Sequence, residues 1–139
     1  MAREYSGGVE HPLVIEPNDP HLEKVRAISM AYPETAEVQS WGRPTFRVAK
    51  KIFIVVGSGM DRPRSIVFKP DAEGRRAFLQ DDRFWVPPYW GPSGWLAIGL
   101  DDPNTEWREI AELIDTSYRL LALKRHLKVL DVGDGLPLV

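Results

Sequence analysis

Hydrophobic and polar positions follow a helical period near the start of the chain. In the segment NDPHLEKVRAISMAYP, Leu22, Val25 and Ile28 recur at helical spacing and define one apolar face. Asp19 precedes Pro20, a pair typical of an N-cap residue followed by the first helical position. We therefore predict a helix of about a dozen residues that begins after Asp19 and ends at the next proline.

From residue 34 onward the pattern changes to the alternation of β-strands. It predicts strands near residues 36–41, 45–49 and 52–56, then a loop and a further strand in SIVFK. The second and third strands are expected to form a tight hairpin. Phe46 and Val48 point to one side of this hairpin, so we expect its other, polar side to face water.

The second half of the chain adds two helices and two strands. DAEGRRAFLQDD predicts a short helix, and RFWVPP and GWLAIGL predict antiparallel strands joined by a loop around YWGPSG. Asp102 and Pro103 repeat the N-cap pair before a long helix. Its apolar stripe consists of Trp107, Ile110, Ala111, Ile114, Tyr118 and Leu121.

This succession of elements predicts the fold class and the domain. Hairpin-connected strands interrupted by helices favour an antiparallel sheet over a parallel βαβ series. We predict an α+β two-layer domain with an antiparallel sheet of about five strands and helices packed on it, in the order α-β-β-β-α-β-β-α. The domain spans residues 19–130. Residues 1–18 form an N-terminal arm that lies on the domain or is partly disordered, and residues 131–139 form a C-terminal tail.

Composition limits the chemistry of this domain. Its 139 residues include no cysteine, which excludes disulfides, thiolate nucleophiles and cysteine-ligated metals. The histidines His11, His21 and His126 lack metal-binding spacing, so we expect no metal and no cofactor. No window is apolar enough for a signal peptide or a spanning helix, and we expect a cytoplasmic protein that does not bind a membrane.

The sequence contains no recognisable catalytic constellation. Ser93 in GPSGW is one residue out of register for the nucleophile motif GxSxG. The doublets Asp81-Asp82 and Asp101-Asp102 could supply an acid and a base or hold Mg²⁺, but they lie at predicted helix ends, where capping is the simpler explanation. We therefore predict a protein that is not an enzyme and assign no catalytic residue.

Basic residues concentrate in one block of a chain whose formal net charge is -2. The block begins with Arg43 and ends in the second helix, and its nine positive and three negative side chains give a local charge of +6. If the hairpin turn at Lys50 and Lys51 projects from the same edge as the loop with Arg62 and Arg64, these residues and Arg43 form a basic wing that can straddle a phosphate backbone. The alternative is an ordinary solvated sheet face.

Aromatic residues concentrate in FWVPPYWGPSGWLAIGL, which contains no charged residue. Trp85 and Trp95 occupy strand positions, and we predict that they meet Trp107 and Tyr118 under the long helix, as core or as the lining of a small-molecule pocket.

The loop tip of the same segment offers candidates of another kind. Tyr89 and Trp90 are placed where they can stack on a base or a planar ligand. Trp41, which lies beside Gly42 and Arg43 at the end of the first strand, is a further candidate for stacking.

The run from about Leu22 to Arg125 resembles the MmcQ/YjbR family of small bacterial proteins. The resemblance rests on the blocks YPETAEVQSWGRPTFRVAKKIFIVV, FKPDAEGRRAFLQDDRFW, and GWLAIGLDD leading into WREIAELIDTSYRLLALKR. It implies a compact α+β fold similar to that of type III secretion chaperones, a DNA-binding label founded on fold comparison, and no catalytic residue. Where members often have a Gly-Gly pair, this chain has Ala49 and Lys50. It has GPSG before Trp95, where many members have a polar, basic segment with histidine.

Three functions remain open from the sequence. The favoured one is non-enzymatic DNA binding through the basic wing, with Tyr89 or Trp90 as a stacking residue. The second is a protein-interaction or chaperone-like module, in which the apolar segment 84–100 binds a partner protein or forms a homodimer. The third is a small-molecule-binding domain that uses the aromatic pocket.

Overall fold

The computed structural model describes residues 11–132, which form one antiparallel sheet and four α-helices. The strands are β1 (Ala36–Ser40), β2 (Arg43–Val48), β3 (Lys51–Val56), β4 (Ser65–Phe68), β5 (Phe84–Trp85) and β6 (Leu96–Gly99). The helices are α1 (Pro20–Ser29), α2 (Ala72–Phe78), α3 (Trp107–Leu121) and α4 (Lys124–Val132), and a short 3-10 helix covers Gly91–Ser93. The strand order is β1-β2-β3-β4-β6-β5. Of the predicted arm and tail, residues 1–10 and 133–139 lie outside the described residues.

The predicted α+β class with an antiparallel sheet is confirmed. The sheet has six strands rather than about five, because SIVFK, predicted as a strand but absent from the predicted order, forms β4 between β3 and β6. The last predicted helix is divided into α3 and α4. The backbone becomes extended at Ala122, and the ring Nδ1 of His126 accepts a hydrogen bond from the Leu123 N–H (3.0 Å) at the start of α4.

Aspartates cap two of the three predicted helix starts. The Asp19 carboxylate accepts from the His21 N–H (2.8 Å), and the Asp71 carboxylate accepts from the Gly74 N–H (2.6 Å), so both cap their helices. The third start lies later than predicted. Asp102 accepts from the N–H two residues on (2.7 Å) in a turn, and α3 begins only at Trp107.

A β-bulge in β3 couples the sheet to α3. The register between β2 and β3 shifts so that Phe53 is the extra residue of the ladder. The hydroxyl of Ser117, fully buried in α3, donates to the Phe53 carbonyl oxygen (2.5 Å) and accepts from the Lys69 N–H (3.0 Å). The helix therefore satisfies backbone groups that the strands leave unpaired at this point.

The two faces of the sheet carry different layers. All four helices contribute to the main core on one face, which we call the helix face. On the other face, Val55, Val67 and Ala97 form a separate cluster, which Trp85, Trp90 and Trp95 cover. Val55 pairs with Val67, Val67 with Ala97 and Ala97 with Trp85, so one row of side chains crosses four strands of this face. We call it the tryptophan face.

The sequence predicts that the polar side of the β2–β3 hairpin faces water, but in the structure it does not. Thr45 is fully buried opposite Val55 on the tryptophan face and donates to the Val38 carbonyl oxygen (2.6 Å). Arg47 is half-buried and donates to Thr45 (3.1 Å) and to the Ser40 hydroxyl (2.8 Å). Hydrogen bonds within the sheet therefore replace water on this side of the hairpin.

Residues 11–15 run past the turn between β1 and β2. The Val14 N–H donates to the Gly42 carbonyl oxygen (2.8 Å), and Val14 and Ile15 are buried. A Cβ atom at Gly42 would lie 2.0 Å from the Pro12 carbonyl oxygen, and φ there is +78°, so only glycine fits. This close approach brings His11 beside the sheet.

Candidate functional site

The connection between β5 and β6 forms one wall of a groove at the edge of the tryptophan face. Gly91 lets residues 86–95 fold back over the sheet, because a Cβ atom there would lie 2.4 Å from Val86 Cγ1. Within this connection Trp90 packs on the sheet, whereas Tyr89 is 89% exposed. The groove has a volume of about 500 Å³ and is lined by His11, Trp41, Arg43, Tyr89 and Trp90. We call it the aromatic groove.

Two aromatic residues of the groove hold a backbone conformation that bulky side chains rarely adopt. Tyr89 has φ +67° and Trp41 has φ +54°. Trp41 and Gly42 connect β1 to β2, where a tight turn with two positive φ angles favours Asn, Asp or Gly. Such backbone costs a non-glycine residue about 1–3 kcal/mol and is concentrated at binding sites. The protein thus holds two strained aromatic residues at one groove.

Arg43 supplies the positive charge of the groove. Its guanidinium carbon lies 5.7 Å from the centroid of the Trp90 ring, within cation–π range. The side chain is half-buried, and its Nε has no hydrogen-bond partner among residues 11–132. Burial lowers the pKa of Arg43, while Tyr89 acts in the opposite direction, and the guanidinium remains charged. A charged guanidinium at a groove can receive an anionic group.

A second arginine lies on a tryptophan in the connection between β3 and β4. The Arg62 guanidinium carbon is 4.2 Å from the Trp85 ring centroid, and Arg62 is exposed. Arg64 instead donates from Nε to the buried carboxylate of Asp19 (2.9 Å). Burial opposes ionisation of Asp19, but hydrogen bonds from the His21 N–H and from Arg64 outweigh it, and the pKa of Asp19 is lowered. Arg64 therefore stabilises the start of α1, whereas Arg62 faces solvent.

The basic wing that the sequence predicts does not assemble. Lys50 and Lys51 lie at the turn between β2 and β3, whereas Arg62 and Arg64 lie between β3 and β4. Because β3 carries the chain from one end of the antiparallel sheet to the other, the two groups lie at opposite ends. Arg43 begins β2 and lies at the end that holds Arg62. The lysines and arginines of the predicted wing therefore do not project from one common edge.

The predicted pocket of Trp85, Trp95, Trp107 and Tyr118 does not form. Trp85 and Trp95 cover the tryptophan face, while Tyr118 is fully buried on the helix face. Trp107 lies at the first turn of α3, with its ring centroid 6.3 Å from that of His21. The sheet itself separates the first two residues from the last two.

Shifted tyrosine pKa values belong to buried structural contacts. Tyr32 donates to the Asp115 carboxylate (2.8 Å), and Tyr118 donates to the Pro33 carbonyl oxygen (2.7 Å). Burial is the main cause that raises both pKa values, that of Tyr118 to about 12. These bonds fasten the end of α1 and the turn after it to α3.

The part of the chain that the structure describes has neither a metal-binding cluster nor a helix suited to a membrane. Within residues 11–132, no three acidic or histidine side chains cluster closely enough to hold a metal ion. None of the helices in this range has the length and apolar character needed to cross a membrane.

The sequence indicates most of the groove-lining residues, but only as separate candidates for binding. Arg43, Tyr89, Trp90 and Trp41 were each predicted to bind, and the structure brings these four together. His11 was missed, because nothing in its own surroundings indicates a site. Its position depends on the close approach of the N-terminal segment to the β1–β2 turn, which sequence periodicity does not encode.

The sheet, its helix layer and the groove define a small α+β domain with one aromatic surface site. The YjbR family model matches residues 30–120, and the chain belongs to the YjbR family, as the resemblance indicated. The protein DR2400 of Deinococcus radiodurans, which carries a DUF419 domain, is similar in structure, with a TM-score of 0.65 and 18% identity over 84% of this chain and 91% of that one. At this identity the likeness shows the fold alone. No curated protein matches the chain significantly.

Proposed function

We propose that this protein is a non-enzymatic binding protein for single-stranded DNA and that the aromatic groove is its site. The observation that supports this most is the Arg43 guanidinium within cation–π range of Trp90, beside the exposed side chains of Tyr89 and Trp41. Stacking of a base on an aromatic ring contributes about 1–3 kcal/mol, and arginine adds phosphate and cation–π contacts. Among residues 11–132, the side chains that line the groove include no carboxylate, serine or threonine, which favours binding over catalysis.

An unpaired strand suits the groove better than a duplex does. In a duplex the faces of the bases are stacked on one another, and only their edges are reachable from the grooves. Tyr89 and Trp41 are 89% and 38% exposed, so part of each aromatic side chain is accessible at the groove. A single strand can place unstacked bases against such rings.

Duplex binding by a basic wing has less support. It needs several phosphate contacts at one edge, but Lys50 and Lys51 lie at the far end of the sheet from Arg62. Arg64 is already held by Asp19. The formal net charge of -2 adds no general attraction to a polyanion, so any affinity must come from a local site.

A small planar anion is a second candidate ligand. The groove volume of about 500 Å³ falls in the range of small-molecule sites, about 300–1,000 Å³. One aromatic ring with an acidic group would satisfy the stacking surfaces and Arg43 together. This candidate predicts that a mononucleotide binds as tightly as an oligonucleotide.

Fluorescence anisotropy with a labelled ten-nucleotide oligo(dT), thymidine monophosphate as competitor, and a duplex of the same length tests these alternatives. One phosphate contact of a single strand, made by Arg43, predicts about three-fold weaker binding when salt rises from about 50 to about 200 mM. Five contacts of a basic wing with a duplex predict about 500-fold weakening over the same range. The groove hypothesis expects the shallow dependence and a preference for the single strand.

Variants at the two ends of the sheet separate groove from wing. Arg43→Gln removes the charge of the groove and should weaken oligo(dT) binding about ten-fold or more, as loss of a charge-assisted contact does. The double variant Lys50→Glu and Lys51→Glu is the matched control and should bind normally. The opposite pattern would reinstate the wing. No binding of either nucleic acid by the unaltered protein would reject the proposal and favour a protein partner.

A further inference from the structure

A second, smaller cavity lies on the tryptophan face next to the aromatic groove. It has a volume of about 170 Å³, and its lining includes Ser65, Gly99, Trp85, Arg62 and Asp101. Ser65 pairs with Gly99 across β4 and β6, and both lie on the same face as Val67 and Ala97 by alternation. The cavity therefore has a strand floor, with Arg62 over Trp85 as one wall.

The cavity and the groove lie at the same level of the sheet. The register that pairs Thr45 with Val55 brings Arg43 to the level of Gly57, and the Gly57 N–H donates to the Ser65 carbonyl oxygen (2.7 Å). Arg43 and Ser65 are thus two strand spacings apart, roughly 10 Å. A single DNA strand spans this distance with about three stacked nucleotides, at roughly 3.4 Å each.

The chemistry of the cavity suits a base rather than a phosphate. Trp85 with Arg62 offers a stacking surface, and the carboxylates of Asp61 and Asp101 offset the charges of Arg62 and Arg64, so the lining has no net charge to attract a phosphate. Neither carboxylate has an ion-pair partner within the described range 11–132. Carboxylates accept hydrogen bonds from the exocyclic amino group of cytosine, a group that thymine lacks.

We infer that this cavity is a second base-binding subsite, which takes an amino-bearing base of the same DNA strand that occupies the aromatic groove. The inference rests on the proposed function and extends it, because it sets a minimum length for the strand and a base preference. A strand held only in the groove has no reason for either property.

Gly99→Val gives a direct test, because it fills the cavity without changing a charge or a groove residue. A Cβ atom at Gly99 would meet its nearest neighbour at 3.6 Å, an ordinary contact, so the variant should fold, which its melting temperature checks. Binding of oligo(dC) of one to six nucleotides is measured for both proteins. The unaltered protein should gain affinity up to about four nucleotides, and Gly99→Val should lose about 5- to 100-fold for the longer strands only, as expected for one stacked base.

The base preference supplies the second readout. Oligo(dC) should bind at least about five-fold more tightly than oligo(dT) of equal length. Asp101→Ala should reduce the ratio of oligo(dC) to oligo(dT) affinity, because it removes the acceptor for the cytosine amino group. If the protein binds single strands but Gly99→Val binds oligo(dC) hexamers normally, the second subsite is refuted and the groove stands. If no single strand binds at all, the proposed function itself has failed.

Discussion

Replacing Tyr89 with asparagine should stabilise the protein and weaken DNA binding at the same time. Tyr89 has φ +67°, and such backbone costs a non-glycine residue about 1–3 kcal/mol. Asparagine is several-fold enriched in this conformation, so it should relieve much of that cost. The opposite signs of the two effects make the prediction specific to a binding role.

The structure sets the size of the stabilisation. Tyr89 is 89% exposed, so it buries about a tenth of an aromatic side chain, or roughly 20 Å², which contributes about 0.5 kcal/mol. Its edge contact with Trp90, at 6.3 Å between ring centroids, adds about another 0.5 kcal/mol. The relief exceeds these losses by about 1 kcal/mol, or about 3 °C in melting temperature for 139 residues. The lost stacking should weaken oligo(dT) binding about 5- to 100-fold.

Lys50→Asn is the matched control. Lys50 is exposed with φ +65°, but it lies at the end of the sheet away from the groove. It should gain similar stability in thermal and urea unfolding and bind oligo(dT) as the unaltered protein does. A less stable Tyr89→Asn protein would contradict the strain argument. Unchanged DNA affinity in Tyr89→Asn, with a loss in Lys50→Asn, would contradict the groove.

Three further predictions concern contacts that stabilise the fold. Ser117→Ala removes both hydrogen bonds between α3 and the strands and should lower the free energy of unfolding by about 2–4 kcal/mol. Thr116→Ala in the same helix should change it by less than about 0.5 kcal/mol, as urea titration can show. Gly42→Ala should cost more stability than Gly94→Ala in the same assay, because both have positive φ but only Gly42 is close to other atoms. Asp19→Ala should destabilise the protein at neutral pH, and thermal unfolding across pH should show the deficit shrinking below about pH 4. The sign follows from the lowered pKa of Asp19, because such a carboxylate stabilises the fold above its unfolded pKa and loses this effect as pH falls through its folded pKa.

Local signals predicted most of the fold because they act over a few residues. The Asp19-Pro20 pair specifies the start of α1 through a cap and a preset φ angle. The alternation of apolar and polar residues predicted the ends of β1, β2 and β3 to within two residues. The bulge at Phe53 was not predictable, because every residue from Ile52 to Val56 is apolar and alternation is invisible there.

The site could be predicted only as a set of residue types. β5 has two residues, Phe84 and Trp85, and both are aromatic, so no pattern shows which of them faces the helices. The structure places Phe84 in the main core and Trp85 on the opposite face. The basic wing could have been rejected from the sequence, because the single predicted strand between the Lys50-Lys51 turn and the loop with Arg62 and Arg64 places these two connections at opposite ends of the sheet.

The tryptophan layer makes core and site depend on the same residues. An apolar sheet face must be shielded from water. In this protein the indole rings of residues 86–95 shield it, whereas in other domains a second layer of helices does so. The indole rings that pack on Val55 and Val67 also contact arginine side chains through cation–π interactions. Trp90→Ala would therefore remove a ligand contact and uncover the sheet together, and a loss of binding would not separate the two effects. Tyr89, Arg43 and Gly99 lie outside that apolar cluster, so changes at these positions can show whether the surface binds DNA while the layer beneath it stays intact.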